Sequence, residues 1–259
     1  MLQNERYEKI LSLIQTKGAV RVAELAKDFS ISESTIRRDI IELDHMGKLR
    51  KVFGGAVSND TYLTSYETDV KTRAIFSVPE KDSIAKYAAS LIEADDFVFM
   101  DAGTTTEKLI DFIPSNTAVY VTNGLTHALK LTRRGHKVYL LGGKVNASTE
   151  AVTGTEAVSG LAKYNFTKCF LGANGIDLVH GFTTPNVEEA MVKTHAAQRS
   201  AMVYVLADSN KFESVAPVTF LGINKAWIIT DKLVNSKYEE YTEIKETELG
   251  GSYENENSD

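Results

Sequence analysis

From Glu80 onward six apolar runs recur: "FVFMD", "AVYVTN", "KVYLLGG", "KCFLGANG", "MVYVLAD" and "AWIIT". Amphipathic helical stretches or Gly-rich turns separate them. Strands that alternate with helices predict a largely parallel sheet with helices packed on both faces. At 259 residues the chain has length for this domain and a smaller one, and its 43% hydrophobic content suffices for a real core.

The first 57 residues have helical rather than strand period. Tyr7, Ile10, Leu11 and Ile14 fall at spacings of three and four and predict a helix closing near Gly18. "VAELAKDFS" predicts a shorter helix with Leu25 and Phe29 on one face. After "SIS", Ile36, Ile40, Leu43 and Met46 form the stripe of a third helix, with Ser32 as its N-cap and Gly47 as its stop. "KLRKVFGGAV" then alternates and ends in paired glycines, the pattern of a short hairpin. Two short helices, a tight turn, a longer third helix and a hairpin make a winged helix-turn-helix.

The third helix carries the DNA chemistry. With Ile36 and Ile40 turned inward, a rotation of about 100° per residue sets Ser34, Thr35, Arg37 and Arg38 on or beside the outward face. The small hydroxyls of Ser32, Ser34 and Thr35 allow close approach to a groove and can bond phosphate. Arg37 and Arg38 each present a planar fork that can bond guanine edges or bridge phosphates. In the hairpin, Arg50 and Lys51 are available to the DNA backbone. Two other readings use the same residues: the arginines could pair with Asp39 and Glu42, or the helices could dock a protein.

An overall charge of −6 looks wrong for a DNA reader until it is divided along the chain. Residues 1–57 hold 10 basic and 8 acidic side chains, whereas residues 236–259 hold 2 and 8. The acidity is concentrated in a polar C-terminal stretch expected to fray, leaving a mildly basic front end. The expected organisation is a DNA-binding domain over 1–57, a linker over 58–79, an α/β effector and oligomerisation domain over 80–235, and a disordered acidic tail over 236–259.

In the larger domain "DAGTTTEKL" follows the strand "FVFM" and runs into a helix. Gly103 lets the backbone approach a ligand, Thr104, Thr105 and Thr106 can donate to it, and the free amides of the first helical turn favour an anion. The ending of a nucleotide P-loop is missing, which argues against ATP or GTP hydrolysis. Polar clusters also follow other strands: "TNGL", "LGGK", "GANGID", "TTPNVEEAMVK" and "DSNKF". In parallel sheets ligands gather at these carboxyl ends. Cys169 is the only cysteine and reads as a buried thiol; it permits no intrachain disulfide and fits a cytoplasmic protein. His45, His127, His136, His180 and His195 lack metal-ligand spacing, so neither metal nor cofactor is expected. The N-terminal stretch is amphipathic and acid-bearing, unlike a signal peptide, and no run is long enough for a membrane span.

The stretch from "ERYEKILSLIQ" to "KVFGGA", with its "STIRRD" core, resembles the winged helix-turn-helix of DeoR-family bacterial transcriptional regulators. It departs at Phe53, where the family often has a histidine able to donate to phosphate. Residues from Glu80 to Asp231 resemble the family's effector domain, whose fold is related to ribose-5-phosphate isomerase and acyl-CoA transferases. The resemblance implies a phosphate cradle in "DAGTTT", Asp101 included. It implies a sugar end lined by Asn123, Gly124, Gly142, Gly143, Asn174 and Asp177, with charge from Glu188 or Glu189, Lys193 and Lys211. It implies a repressor of a sugar-catabolism operon, relieved by a phosphorylated sugar, and not an enzyme. Because one short helix contacts few bases, a homo-oligomer, dimer or tetramer, is expected on double-stranded operator DNA. The alternative is a sugar-phosphate isomerase with a DNA-binding appendage. Asp177, Glu188 and Glu189 could serve as its base, but Asn174 stands where such isomerases commonly carry a carboxylate.

Overall fold

The computed structural model describes residues 2–46, 48–52, 54–58, 70–115 and 117–247. The head begins with α1 (Gln3–Lys17), β1 (Ala19–Arg21), α2 (Val22–Phe29) and α3 (Glu33–His45), followed by β2 (Leu49–Val52) and β3 (Gly55–Ser58). The apolar stripes meet in one core of Ile10, Ile14, Leu25, Ile36, Ile40, Leu43 and Leu49. Met46 does not join it and is 58% exposed, because α3 ends one residue earlier. Gly47, the expected stop, and Phe53 lie outside the described residues. The expected hairpin gains a third strand: β1 pairs with β3, giving the antiparallel order β1-β3-β2.

A buried ion pair fixes the helices of the head. Arg6 of α1 donates from Nε and Nη2 to the two carboxylate oxygens of Asp39 at 2.7 and 2.9 Å, and Asp39 is fully buried. Glu42 is likewise taken by α1, accepting from Gln3 at 2.9 Å and from the Tyr7 hydroxyl. Neither acid is left for Arg37 or Arg38, so these pairs do not form.

The larger domain continues with α4 (Val70–Ala74), α5 (Val78–Ser90), β4 (Phe97–Met100), α6 (Thr104–Phe112), β5 (Val119–Thr122), α7 (Leu125–Arg133) and β6 (Lys137–Leu140). Then come β7 (Lys144–Asn146), β8 (Ala151–Thr153), α8 (Thr155–Leu161), β9 (Phe166–Gly172), β10 (Gly175–Asp177), β11 (Gly181–Thr184), α9 (Val187–Gln198) and β12 (Ser200–Leu206). The chain closes with β13 (Val218–Leu221), β14 (Trp227–Thr230) and β15 (Ile244–Glu246). All six apolar runs are strands of one parallel sheet, in the order β15-β14-β12-β9-β4-β5-β6.

Alternation along each strand splits the core into two layers. On β4, Val98 and Met100 face a layer with Ile84, Ala88 and Leu109 of α5 and α6, whereas Phe99 faces Ala190, Val192 and Ala196 of α9. Cys169 lies in the second layer, fully buried, and burial pushes its thiol well above the ordinary range. The antiparallel sheet β10-β11-β13 and the hairpin β7-β8 flank the main sheet.

Two expected boundaries move. Residues 236–247 do not fray: Tyr238 is buried and donates its hydroxyl to the Ile176 carbonyl at 3.1 Å, and β15 extends the sheet beyond β14. The remaining acidic residues, 248–259, lie outside the described residues. At the other end, α4 and the start of α5 belong to the larger domain, and the linker residues 59–69 lie outside the described residues.

Candidate functional site

The strands β12, β9 and β4 are neighbours, and their carboxyl ends open together into a cavity of about 480 Å³. From β4 comes the loop Asp101-Ala102-Gly103, then Thr104 and Thr105 at the start of α6. From β9 come Gly172, Ala173 and Asn174; after β12 come Asp208, Asn210 and Lys211. Thr104 and Thr105 face the cavity, and among the described residues neither hydroxyl has a partner. Lys193 of α9 closes the floor, donating to Asp101 Oδ2 and, at 3.0 Å, to the Gly172 carbonyl. The Gly172 amide also donates to Asp101 Oδ2 at 3.2 Å, so this buried pair is tied to both strands.

Three further cations of the larger domain line the cavity, and sequence reasoning missed two of them, Arg73 and Lys81. Arg73 of α4, Lys81 of α5 and Lys211 line the cavity with Ser77 and Asp208. Burial first, and then the nearby charge of Lys211, lower the Lys81 ammonium from its usual 10.5 to about 8. That shift holds roughly 3 kcal/mol against the charged form. Burial also lowers Lys211, with Asp208 pulling the other way and Arg73 and Arg50 adding to the effect. Lys81 was legible by period. It sits three, four and seven residues before Ile84, Ala85 and Ala88, which places it on the buried face of α5. Asp208 was hidden inside "DSNKF", where a turn residue is the ordinary expectation.

Of the residues expected to hold an effector, Asp101, Gly103, Thr104, Thr105, Asn174, Glu189, Lys193 and Lys211 surround the cavity. The others do not. Thr106 turns inward, accepting from the Gly103 amide at 2.9 Å and donating to the Asp101 carbonyl at 2.6 Å, so it shapes the loop. Asn123 braces the same loop, accepting from the Ala102 amide at 3.1 Å and donating to the Val152 carbonyl at 3.3 Å. Gly124 leaves room for His127, whose Nδ1 would stand 2.5 Å from a Cβ there. Burial lowers the His127 imidazole to about 4, and its neutral ring lies 3.1 Å from both Thr106 Oγ1 and the Gly103 carbonyl.

Gly142 and Gly143 form an exposed turn into β7; Gly143 has φ +144°, and a side chain there would strike the Thr153 carbonyl. Asp177 closes the turn between β10 and β11. Burial would raise its carboxyl, but the amide and ring of His180 and the Val179 amide hold it below the usual range. Glu188 points outward to Lys144 and Thr153. Its neighbour Glu189 lines the cavity instead, accepting from Thr149 at 2.5 Å and Asn146 at 3.3 Å.

The head presents the second candidate surface. Ser32 caps α3, its hydroxyl accepting from the Thr35 amide at 3.3 Å, and Ser34 is exposed beside it. Arg37 is exposed and donates to Glu33 at 2.7 Å one turn earlier; Arg38 is exposed and unpaired among the described residues. An exposed pair of this kind is worth less than about 1 kcal/mol, so phosphate can displace it. Lys51 is exposed on β2, anchored by its amide to Asp44 at 2.8 Å. Arg50 departs from expectation: it lines the cavity between head and larger domain, with Val52 on the same strand face. Among the described residues no cluster of three metal-ligating side chains occurs.

A family model described as a DeoR-like helix-turn-helix domain matches residues 6–62, and one described as a DeoR C terminal sensor domain matches residues 77–232. The chain is 40% identical over 250 residues to the "Uncharacterized HTH-type transcriptional regulator FruR" of Bacillus subtilis (strain 168), across 95% of this chain and 98% of that protein. It is 35% identical over 228 residues to the "Lactose phosphotransferase system repressor" of Staphylococcus aureus (strain COL), across 87% of this chain and 90% of that protein. Ribose 5-phosphate isomerase A from Methanocaldococcus jannaschii superposes with a TM-score of 0.39 at 14% identity, over 51% of this chain and 53% of that one, a partial and distant likeness.

Proposed function

The chain belongs to the DeoR family of transcriptional regulators, and on that premise we propose that it represses a sugar-catabolism operon and releases its operator when a phosphorylated sugar fills the cavity. The observation that carries this reading is the cavity's chemistry. Among the described residues Thr104 and Thr105 offer unpartnered hydroxyls at a helix start, in a cavity lined also by Lys81, Arg73 and Lys211. A phosphate dianion suits that wall, with the donors of Asn174 and Asn210 within the same space for hydroxyl groups of a sugar. On the head, Ser34, Thr35, Arg37 and Arg38 would enter the major groove and Lys51 would meet the backbone. The head is small, so an oligomer presenting two or more heads is part of the proposal, as is a cytoplasmic location. Among the described residues no helix is long and apolar enough to cross a membrane.

Binding without turnover is the better-supported role for the cavity. Its carboxylates are engaged: Asp101 by Lys193, Glu189 by Thr149 and Asn146, and Asp208 by the Asn210 amide. Asn174 offers an amide, which cannot take a proton from a sugar carbon. A thermal-shift screen of pentose and hexose phosphates against their parent sugars tests the reading. A cognate phosphosugar at a hundredfold excess over its Kd should stabilise the protein by about 2.7 kcal/mol. Stabilisation by no phosphorylated sugar, or equally by the parent sugar, would count against it.

A further inference from the structure

We propose that the effector site is shared between the domains: Arg50 of the wing supplies the head's own contact to the effector's phosphate. This rests on the reading of the cavity as an anion site. β2 sends Arg50 and Val52 to its cavity face, and Ile14, Gly18 and Val57 of the head line the same space. Phe76, just before α5, completes the join, its ring edge 3.1 Å from where a Cβ on Gly55 would stand. Arg50 Nε is buried and has no hydrogen-bond partner among the described residues. Across the cavity stand Lys211, which feels the Arg50 charge as repulsion, and Asp208, which attracts it from a position where it also attracts Lys211.

A guanidinium whose Nε is shut from water without an acceptor, and which faces a lysine, is in an unfavourable setting that the charges of Asp208 and Asp44 offset only in part. A phosphomonoester dianion would reverse that: its oxygens accept from Arg50 on one side and from Lys211 and Thr104 on the other. Guanidinium stays charged under these conditions and matches phosphate geometry with its fork. The bound anion then joins the wing to the sensor sheet directly, and the effector's presence reaches the head through one side chain.

The test uses the full chain with inorganic phosphate as probe, following calorimetric affinity and hydrogen exchange at the β2 and β3 amides. Arg50→Gln should weaken phosphate binding about tenfold, a loss the size of one charge-assisted hydrogen bond. Phosphate should protect the wing amides in the native chain and not in this variant. Arg50→Lys, which keeps charge but not the fork, should recover part of the affinity, and exposed Lys9→Gln should change nothing. If Lys211→Gln weakens phosphate binding while Arg50→Gln binds as the native chain does, the shared site is wrong and the cavity reading stands. If neither substitution weakens it, both fall.

Discussion

The protein carries two cationic surfaces, and they are built in opposite ways. On α3, Arg37 and Arg38 are exposed, and among the described residues only Arg37 has a partner, the exposed Glu33. In the cavity, Lys81 is buried and lowered to about 8, and Lys211 is lowered by the same cause. An exposed guanidinium costs little to maintain and acts through a field that salt screens. A buried ammonium is maintained against desolvation and gains most when a dianion arrives. The first arrangement suits a long polyanion met in water; the second suits a small anion that excludes water.

The largest effect that would break this contrast lies on the head. Arg37→Ala with Arg38→Ala should lower operator affinity by about a hundredfold or more, since a good bidentate base contact is worth about 1–3 kcal/mol. Fluorescence anisotropy checks it, with an unchanged melting temperature and a shallower dependence of log Kd on log salt. Arg6→Met comes next, acting on stability. It strands the buried Asp39 carboxylate and should destabilise the head by about 3 kcal/mol, read as an early transition in thermal unfolding.

Lys81→Met sharpens the other side of the comparison. It should weaken phosphosugar binding about tenfold and still raise the melting temperature, because a buried, depressed ammonium opposes folding. The sign follows from linkage: the cost is present in full below pH 8 and disappears as pH rises from about 8 towards 10.5. The smallest effect is on pH dependence. Effector affinity should rise as the phosphate takes its second charge near pH 6, then fall above about pH 8 as Lys81 loses its proton. Operator affinity without effector should stay flat over that range; calorimetry and anisotropy across pH separate the two.

How far the sequence disclosed this arrangement depended on whether a residue's partner was local. Six of the seven strands of the sheet and the stripes of α1, α2 and α3 were legible because period alone decides which face is buried. The Thr104 and Thr105 loop was legible because strand, glycine, hydroxyls and helix follow one another directly. Asn123 and Gly124 were misread as sugar contacts: a polar residue after a strand serves a brace as well as a ligand, and only the distances to Ala102 and His127 decide. The stretch 236–247 looked solvated by charge count, yet Tyr238 and the backbone of β15 hold it on the sheet. Arg50 was assigned to DNA because a wing seen alone has only DNA beside it, while the fold sets a second domain there.

The central claim is that a phosphate in the buried cavity controls what the exposed head does. Its most direct measurement is anisotropy of a labelled duplex, selected by the full chain from a random-sequence pool, during titration with phosphorylated sugars and their parent sugars. The account predicts that a phosphorylated sugar releases the duplex, that its parent sugar does not, and that Lys81→Met shifts release to higher concentration. Release by the parent sugar at the same concentration, or unshifted release from Lys81→Met, would contradict it.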